Sequence, residues 1–232
     1  MNRVFLVGNI TGDIYFDVLK GRPFLRLILM TGKPWVIQGM RVVLWDDHAK
    51  VFYPYLRKGS ELGVIGHITT RPYKDRMVTE IEAVHLVLLR NIDWDAGNLK
   101  THQRAPTPSA NDYFVVGTVG PGIRFEWRTK RSEDGNESET ERYAYLQVAL
   151  SYGDVLDGLR VNSYGTLAQV AYPYLQPGSL IAVDGHLETR EKRSGQNMVE
   201  MSAEHMAFLQ DIRWDEGGAA QKRLMMEEEV LA

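Results

Sequence analysis

The sequence predicts an all-β chain of two tandem, five-stranded Greek-key barrels, each carrying one short helix. Three observations point there. The stretches "YPYLRKGSELGVIGHITTR" (53–71) and "YPYLQPGSLIAVDGHLETR" (172–190) agree at 11 of 19 positions without a gap, 119 residues apart in a chain of 232. The apolar runs between Gly, Pro and Asp punctuation are short and rich in β-branched residues. Each copy has one helical candidate, between the third strand and the fourth.

Taken in order, "VFLVG" (4–8) is a short buried strand, and "FLRLILM" (24–30) with its counterpart "YAYLQVAL" (143–150) is the second. The third is "RVVLW" (41–45), answered by "RVNSY" (160–164). The helical candidates "DDHAKVFYPYLRKG" and "GTLAQVAYPYLQPG" each close on a Gly and contain a proline, Pro54 or Pro173. Proline lacks an N–H and collides with the carbonyl four residues back, so a broken or kinked helix is expected. "GVIGHIT" and "MVTEIEAVHLVLL" complete the first copy. Five strands around such a helix is the order of an OB-fold.

The repeat extends to "NIDWDAG" and "DIRWDEG" at the far ends, and upstream to "FLVGNITGD" and "FVVGTVGPG" with an offset of 109. The ten residues of difference fall in "TKRSEDGNESETER", which has no apolar residue and reads as a solvated hairpin extension. "DAGNLKTHQRAPTPSAND" reads as a linker. The expected organisation is a first OB domain over 1–95, a linker over 96–112, a second OB domain over 113–214, and a flexible acidic tail over 215–232. In that tail the pair Gly217–Gly218 is expected to break any ordered element, leaving at most a short helix beyond.

Apolar content of 44% and charged content of 25% are those of an ordinary globular protein. The absence of cysteine excludes disulfides and thiolate metal sites. No apolar run is long enough for a membrane span, and the opening "MNRVFLVGN" is too short for a signal peptide, so a cytoplasmic, nucleoid-associated location is expected. The sequons at Asn9 and Asn136 are then chance. The net charge of −3 is uneven: residues 1–95 hold 13 Lys/Arg against 10 Asp/Glu, while residues 113–214 hold 10 against 14. A bound polyanion should therefore prefer the first half. The six histidines show no metal-ligand spacing, "GTVGPG" (117–122) is neither a phosphate loop nor a dinucleotide fingerprint, and no catalytic order of Ser, His and Asp stands out. No cofactor, no metal and no enzymatic activity are expected.

"MNRVFLVGNITGD", "RVVLWDDHAKVFYPYLRKGS" and "GVIGHITTRPY", with their counterparts, resemble the bacterial single-stranded DNA-binding proteins, in the branch with two OB domains per chain. The resemblance spans residues 1–94 and 113–214. It implies sequence-tolerant binding of single-stranded DNA in replication, repair and recombination. It also implies a working unit of four OB domains, which a homodimer would supply. On the family's pattern the stacking aromatics are Trp35, Trp45 and Tyr73 in the first half, and Gly39 stands where a further aromatic is common. The matching positions in the second half are Tyr152, Tyr164 and Lys192, with Gly158 at the fourth. The cations near them in the expected fold are Arg3, Lys33, Arg41, Arg71 and Lys74, and in a weaker second set Arg160, Arg190 and Lys192. The ending "MMEEEVLA" is acidic then apolar, like the family's partner-docking tip, but lacks its Pro-Phe close.

Each feature also has a plainer reading. A Trp at a strand end is more often half-buried core than platform, and Trp94 and Trp214 are expected to cap the barrels. Tyr53, Tyr55, Tyr172 and Tyr174, in the helix segments, are expected mostly to pack in the core. The competing function is an OB-based adaptor, like the primosomal proteins of the same fold, in which DNA contact is secondary.

Overall fold

The computed structural model describes residues 1–33, 36–73, 76–90, 109–130, 141–151, 159–191, 197–220 and 224, with the side chains at 32–37, 72–77, 130–141 and 190–198 outside the description. The chain divides into two compact units. One comprises residues 2–113 with 187–199, the other residue 1 with 114–186 and 200–232.

In the first barrel the elements are β1 (Asn2–Ile10), β2 (Tyr15–Leu19), β3 (Arg22–Lys33), β4 (Val36–Trp45), α1 (Asp46–Phe52), β5 (Glu61–Tyr73) and β6 (Arg76–Arg90). β1 runs antiparallel to β5 from Val4 to Asn9, and its last two residues cross to β3. β3 pairs with β4, β4 with β6 in parallel, and β6 with β5, which closes a ring of five strands. β2 is a sixth strand hung on the free edge of β3, which the sequence pattern did not announce. α1 lies between the third and fourth ring strands, as expected.

The side-chain alternation follows from the period of two in a pleated strand. Leu25, Leu27 and Leu29 of β3 and Met40, Val42 and Leu44 of β4 point into the ring, where they meet Leu6, Leu62, Ile68 and Ile81. Full burial of each such side chain stabilises the barrel by about 1.5–3 kcal/mol before ordering costs.

The second barrel repeats this strand for strand. Its elements are β7 (Ala110–Val119), β8 (Arg124–Lys130), β9 (Glu141–Ser151), β10 (Leu159–Tyr164), α2 (Gly165–Ala171), β11 (Leu180–Glu191) and β12 (Asn197–Gln210), ordered β7-β11-β12-β10-β9-β8 with β7 returning to β9.

The repeated phrase is scaffold. Each α-helix stops at the residue before "YPY", and Tyr53–Tyr55 and Tyr172–Tyr174 continue as a single 3-10 turn with proline in its opening positions, where a missing N–H costs nothing. The following turn is closed by Ser60 N–H to Arg57 O at 2.9 Å and by Ser179 N–H to Gln176 O at 3.0 Å. It needs a left-handed residue, supplied by Gly59 at φ 91° and Gly178 at φ 96°. The serine hydroxyls accept the amides of Arg57 and Gln176, each at 3.0 Å. Gly66 and Gly185 recur for a different reason: a Cβ at either would strike a backbone carbonyl of the neighbouring strand, that of Glu82 or Ser202.

One repeated device was not read from the sequence. Asn2 donates to Ile68 O at 2.7 Å and accepts from Ile68 N at 3.1 Å, replacing a ladder pair with a side-chain amide. Asn111, 109 residues on, does the same with Leu187 at 2.8 and 3.1 Å.

Two expectations are corrected. Tyr53, Tyr55 and Tyr172 are not core: they are 44%, 64% and 37% exposed, because the 3-10 turn rotates them off the inward face. Tyr53 stacks on Phe16 at 4.7 Å and Tyr172 on Phe125 at 4.4 Å, the same pair in each barrel. Nor does Gly217–Gly218 break the chain, since residues 214–220 are helical. A Cβ on Gly217 would collide with the Tyr174 ring, so a glycine there lets the helix close onto it. Trp214 lies beside Tyr174 and Phe208, at 5.8 Å from each, but is 59% exposed. Trp94 lies outside the described residues, as do the hairpin extension at 131–140, most of the linker and the tail tip at 225–232.

Candidate nucleic-acid interface

Because the odd residues of β3 face the core, its even residues face outward, and the register sets them beside the outward residues of β4: Phe24 opposite Trp45, Arg26 opposite Val43, Ile28 opposite Arg41. The Phe24 and Trp45 ring centres are 5.4 Å apart. Tyr15, brought onto the same face by β2, lies 5.7 Å from Phe24 on the other side. Trp45 and Phe24 are half-buried and Tyr15 is exposed. Trp45 is thus neither a core tryptophan nor a lone surface ring. It ends a row of three.

Arginines interleave with the rings. The Arg22 guanidinium sits 5.1 Å from the Trp45 ring centre, and that of Arg26 5.0 Å from the Tyr15 ring centre. Arg22 is held there by a two-pronged bond to Asp46, at 2.7 and 3.2 Å, which keeps the Asp46 carboxyl below its ordinary range. Asp46 adopts φ 54°, where the second barrel has Gly165 at φ 56°. A non-glycine residue in that region costs about 1 kcal/mol, and what the aspartate provides in return is the clamp on Arg22. The Asp17 carboxyl lies near the row too, bound to the Tyr15 hydroxyl at 2.7 Å, and that bond and the Val18 amide lower its pKa.

Further along the same face, Arg41 and Arg71 meet one carboxylate. Arg71 binds Glu80 through two nitrogens at 2.6 and 3.1 Å, and Arg41 approaches it at 3.5 Å. Glu80 is only 4% exposed, whereas Arg41 and Arg71 are 34% and 41% exposed. Two cations around one buried anion leave a net charge of +1 with its positive side outward.

Of the other expected contacts, Arg3 is exposed near the start of β1, a strand that does not pair with β4. Tyr73 ends β5, Lys33 ends β3 and Arg190 lies in β11, so their backbones are placed and their side chains are not described. Trp35, Lys74, Tyr152 and Lys192 lie outside the described residues. Sequence reasoning missed Tyr15, Phe24, Arg22 and Arg26. The available signal was Arg26 itself, a lone cation inside "FLRLILM" that marks which alternate residues face solvent.

The second barrel uses the same positions differently. Tyr164 takes the place of Trp45 opposite Tyr145, at 5.5 Å, and is half-buried. Tyr145 is only 3% exposed: the Arg128 guanidinium covers its ring at 3.3 Å. Arg128 is locked by Glu126, which also binds Arg124 and whose pKa is lowered by the two guanidiniums. Beneath lies a buried chain in which the Tyr145 hydroxyl donates to Asn162 at 2.9 Å and Asn162 donates to Glu200 at 2.8 Å. Glu200, one residue before the partner of Val161 as Glu80 is one before the partner of Val42, therefore closes a polar core. Arg160 is exposed opposite Ala149.

A cleft of about 380 Å³ between α1 and β6 is walled by Leu44, Phe52, Val84 and Leu86, with His48 and His85 at its edge. It lacks lysine and arginine and does not suit a polyanion. Among the described residues no cluster of His, Asp and Glu could hold a metal ion, and no helix is long and apolar enough to cross a membrane.

Known proteins are similar to this chain in sequence and in fold. The model of the single-strand binding protein family matches residues 1–92, the first barrel. Single-stranded DNA-binding protein 3 of Clostridium acetobutylicum is 31% identical over 130 residues, which cover 50% of this chain and 83% of that relative. Two crystal structures of the single-stranded DNA binding protein of Thermus aquaticus share the fold at 18% identity. The wild type superposes with a TM-score of 0.68 over 94% of this chain and 98% of its own, and a deletion mutant with 0.66 over 93% and 98%. Two OB-folds in tandem, an exposed row of rings among arginines on the first, and a relative matched over most of its length lead to one assignment: the chain belongs to the single-strand binding protein family.

Proposed function

We propose that this protein binds single-stranded DNA without regard to sequence, mainly through the outer face of its first barrel, and holds it unpaired during replication, repair and recombination. Stacking on the rings engages base faces, which all four bases possess, and the arginines engage phosphates. The observation that carries this reading is Trp45, half-exposed at the end of β4 with Arg22 held beside it. No bond is made or broken, and the protein acts without a cofactor, in the cytoplasm at the nucleoid.

The finer assignment takes Trp35, Trp45, Tyr73, Arg71 and Lys74 as the main contacts, with Arg3, Lys33 and Arg41 as further cations near them, and Tyr152, Tyr164, Arg160, Arg190 and Lys192 as a weaker set in the second domain. The domain limits are those expected from the repeat, and a homodimer supplies four barrels. The second reading, an adaptor in which DNA contact is secondary, is favoured for the second barrel alone by the sealing of Tyr145 beneath Arg128.

The test is a titration of tryptophan fluorescence with oligo-dT at two salt concentrations, on the full chain and on Trp45→Ala. Quenching that weakens with salt at about −0.7 log units per phosphate neutralised, and a loss of affinity of about tenfold in Trp45→Ala, are expected. Wild-type affinity in a folded Trp45→Ala protein would move the first barrel to the adaptor reading.

A further inference from the structure

We infer that the single strand continues past Trp45 across Phe24 to Tyr15, so that the β2–β3 edge of the first barrel is a base-stacking track with Arg26 as its phosphate contact. The inference rests on the reading of this face as the DNA site and extends it to residues outside the expected binding set.

The spacing supports a track. The three ring centres follow at 5.4 and 5.7 Å, each pair tilted, so the row offers successive faces and not one flat slab. Tyr15 is 44% exposed, more than a ring engaged only in packing needs to be. Among the described residues β2 has no partner on its outer edge; the ring closes without it, and although Phe16 packs on Tyr53, Tyr15, Asp17, Val18 and Leu19 are all exposed. β2 is not needed to close the ring, yet it carries the outermost ring of the row.

The charge pattern fits a polyanion. Of the nearby carboxylates, Asp46 is taken by Arg22, Asp17 is turned to the Tyr15 hydroxyl, and Glu82, beside Val43, approaches His67 at 3.8 Å. Among the described residues no carboxylate pairs with Arg26, which lies over Tyr15. The second barrel serves as an internal control. The register puts Arg124 at the place of Tyr15, the buried Tyr145 at that of Phe24 and Gln147 at that of Arg26. Only the place of Trp45 keeps a half-buried ring there, Tyr164; beyond it the ring of Tyr15 and the cation of Arg26 are gone and the ring at the place of Phe24 is buried, while the fold is unchanged.

Two single variants of the full chain test the inference. Arg26→Gln installs the residue that the second barrel tolerates at this place, and Tyr15→Ala removes an exposed ring from an edge strand, so both should fold. In titrations with a long oligo-dT, Tyr15→Ala should weaken binding by about tenfold. Arg26→Gln should make the salt slope shallower by about 0.7. Weakened binding by Trp45→Ala, with Tyr15→Ala and Arg26→Gln both at wild-type affinity and slope, would overturn the track and leave the main site standing. Failure of the wild-type chain to bind oligo-dT would remove both.

Discussion

Glu80 restrains Arg41 and Arg71 on the proposed binding face, and Glu80→Gln separates its structural effect from its electrostatic one. The side chain keeps its size, so no cavity opens, but only the amide oxygen can still accept from Arg71: one bond loses its charge assistance, and the other is lost because the amide nitrogen is itself a donor. A hydrogen bond to a charged partner is worth about 1.5–3 kcal/mol against about 0.5–1.5 for a neutral one, so one weakened bond and one lost bond together cost about 2.5–4.5 kcal/mol. Relief from desolvating a carboxylate that is 4% exposed works the other way and offsets part of this. Arg71 and Arg41 are themselves more than a third and about a third exposed, which discounts the loss further. The net expectation is a destabilisation of about 1 kcal/mol, or about 4–8 °C in the melting of a unit of this size. Affinity should move in the opposite direction. With the anion gone, this part of the face carries +2 instead of +1, and the salt slope for oligo-dT should steepen by about 0.7. Melting followed by circular dichroism and fluorescence titration at several salt concentrations measure the two quantities on one preparation. A lower melting temperature with an unchanged slope would show that these arginines hold the sheet together and never reach a phosphate.

Two further outcomes follow from the same geometry. Gly66→Ala sets a methyl against the Glu82 carbonyl and should destabilise the first barrel by about 2–4 kcal/mol in denaturant melts, whereas Gly63→Ala, where a Cβ meets nothing within 4 Å, should cost less than about 1 kcal/mol; equal effects would refute the close-approach argument. The Glu126 pKa is lowered in the folded protein by Arg128 and Arg124, so its contribution to stability is present above the unfolded carboxylate pKa and disappears as pH falls through the folded value. Acidification through that range should loosen Arg128 from Tyr145, read as increased solvent quenching of tyrosine emission, and Glu126→Gln should abolish that pH step.

The fold was legible because its hardest constraints are local. A left-handed turn demands Gly59, a crowded ladder demands Gly66, and a helix that must stop demands Pro54, so these survive duplication as letters. The binding face was legible only in part because it depends on register. "FLRLILM" reads as a uniform apolar run, yet Leu25, Leu27 and Leu29 turn inward while Phe24 and Arg26 turn outward to meet Trp45 and Tyr15. No single segment carries that row, since its members come from β2, β3 and β4. The tyrosines of "YPY" misled for a related reason: their helical spacing pointed to the core, but the proline converts their turn to a tighter one that faces Phe16 and Phe125 instead. Glu80 gave no local signal either, because an acidic residue in an alternating strand reads as solvent-facing until its neighbours cover it.

The chain Tyr145–Asn162–Glu200 has a consequence for how the two barrels can change in time. Each member is buried, and Gln147 backs the first link by donating to both the Tyr145 hydroxyl and Asn162 at 2.9 Å. Asn162 therefore stays satisfied if the tyrosine hydroxyl is lost, whereas replacing Asn162 by an apolar residue takes a partner from both neighbours at a cost of about 1–3 kcal/mol. Restoring the first barrel's pattern means Phe, Val and Arg at 145, 162 and 147. The order of change then matters: position 145 can change first with Asn162 still held by Gln147 and Glu200, while position 162 cannot change first without loss. Reversal is therefore open along some routes and closed along others, and divergence between the duplicated halves is path-dependent.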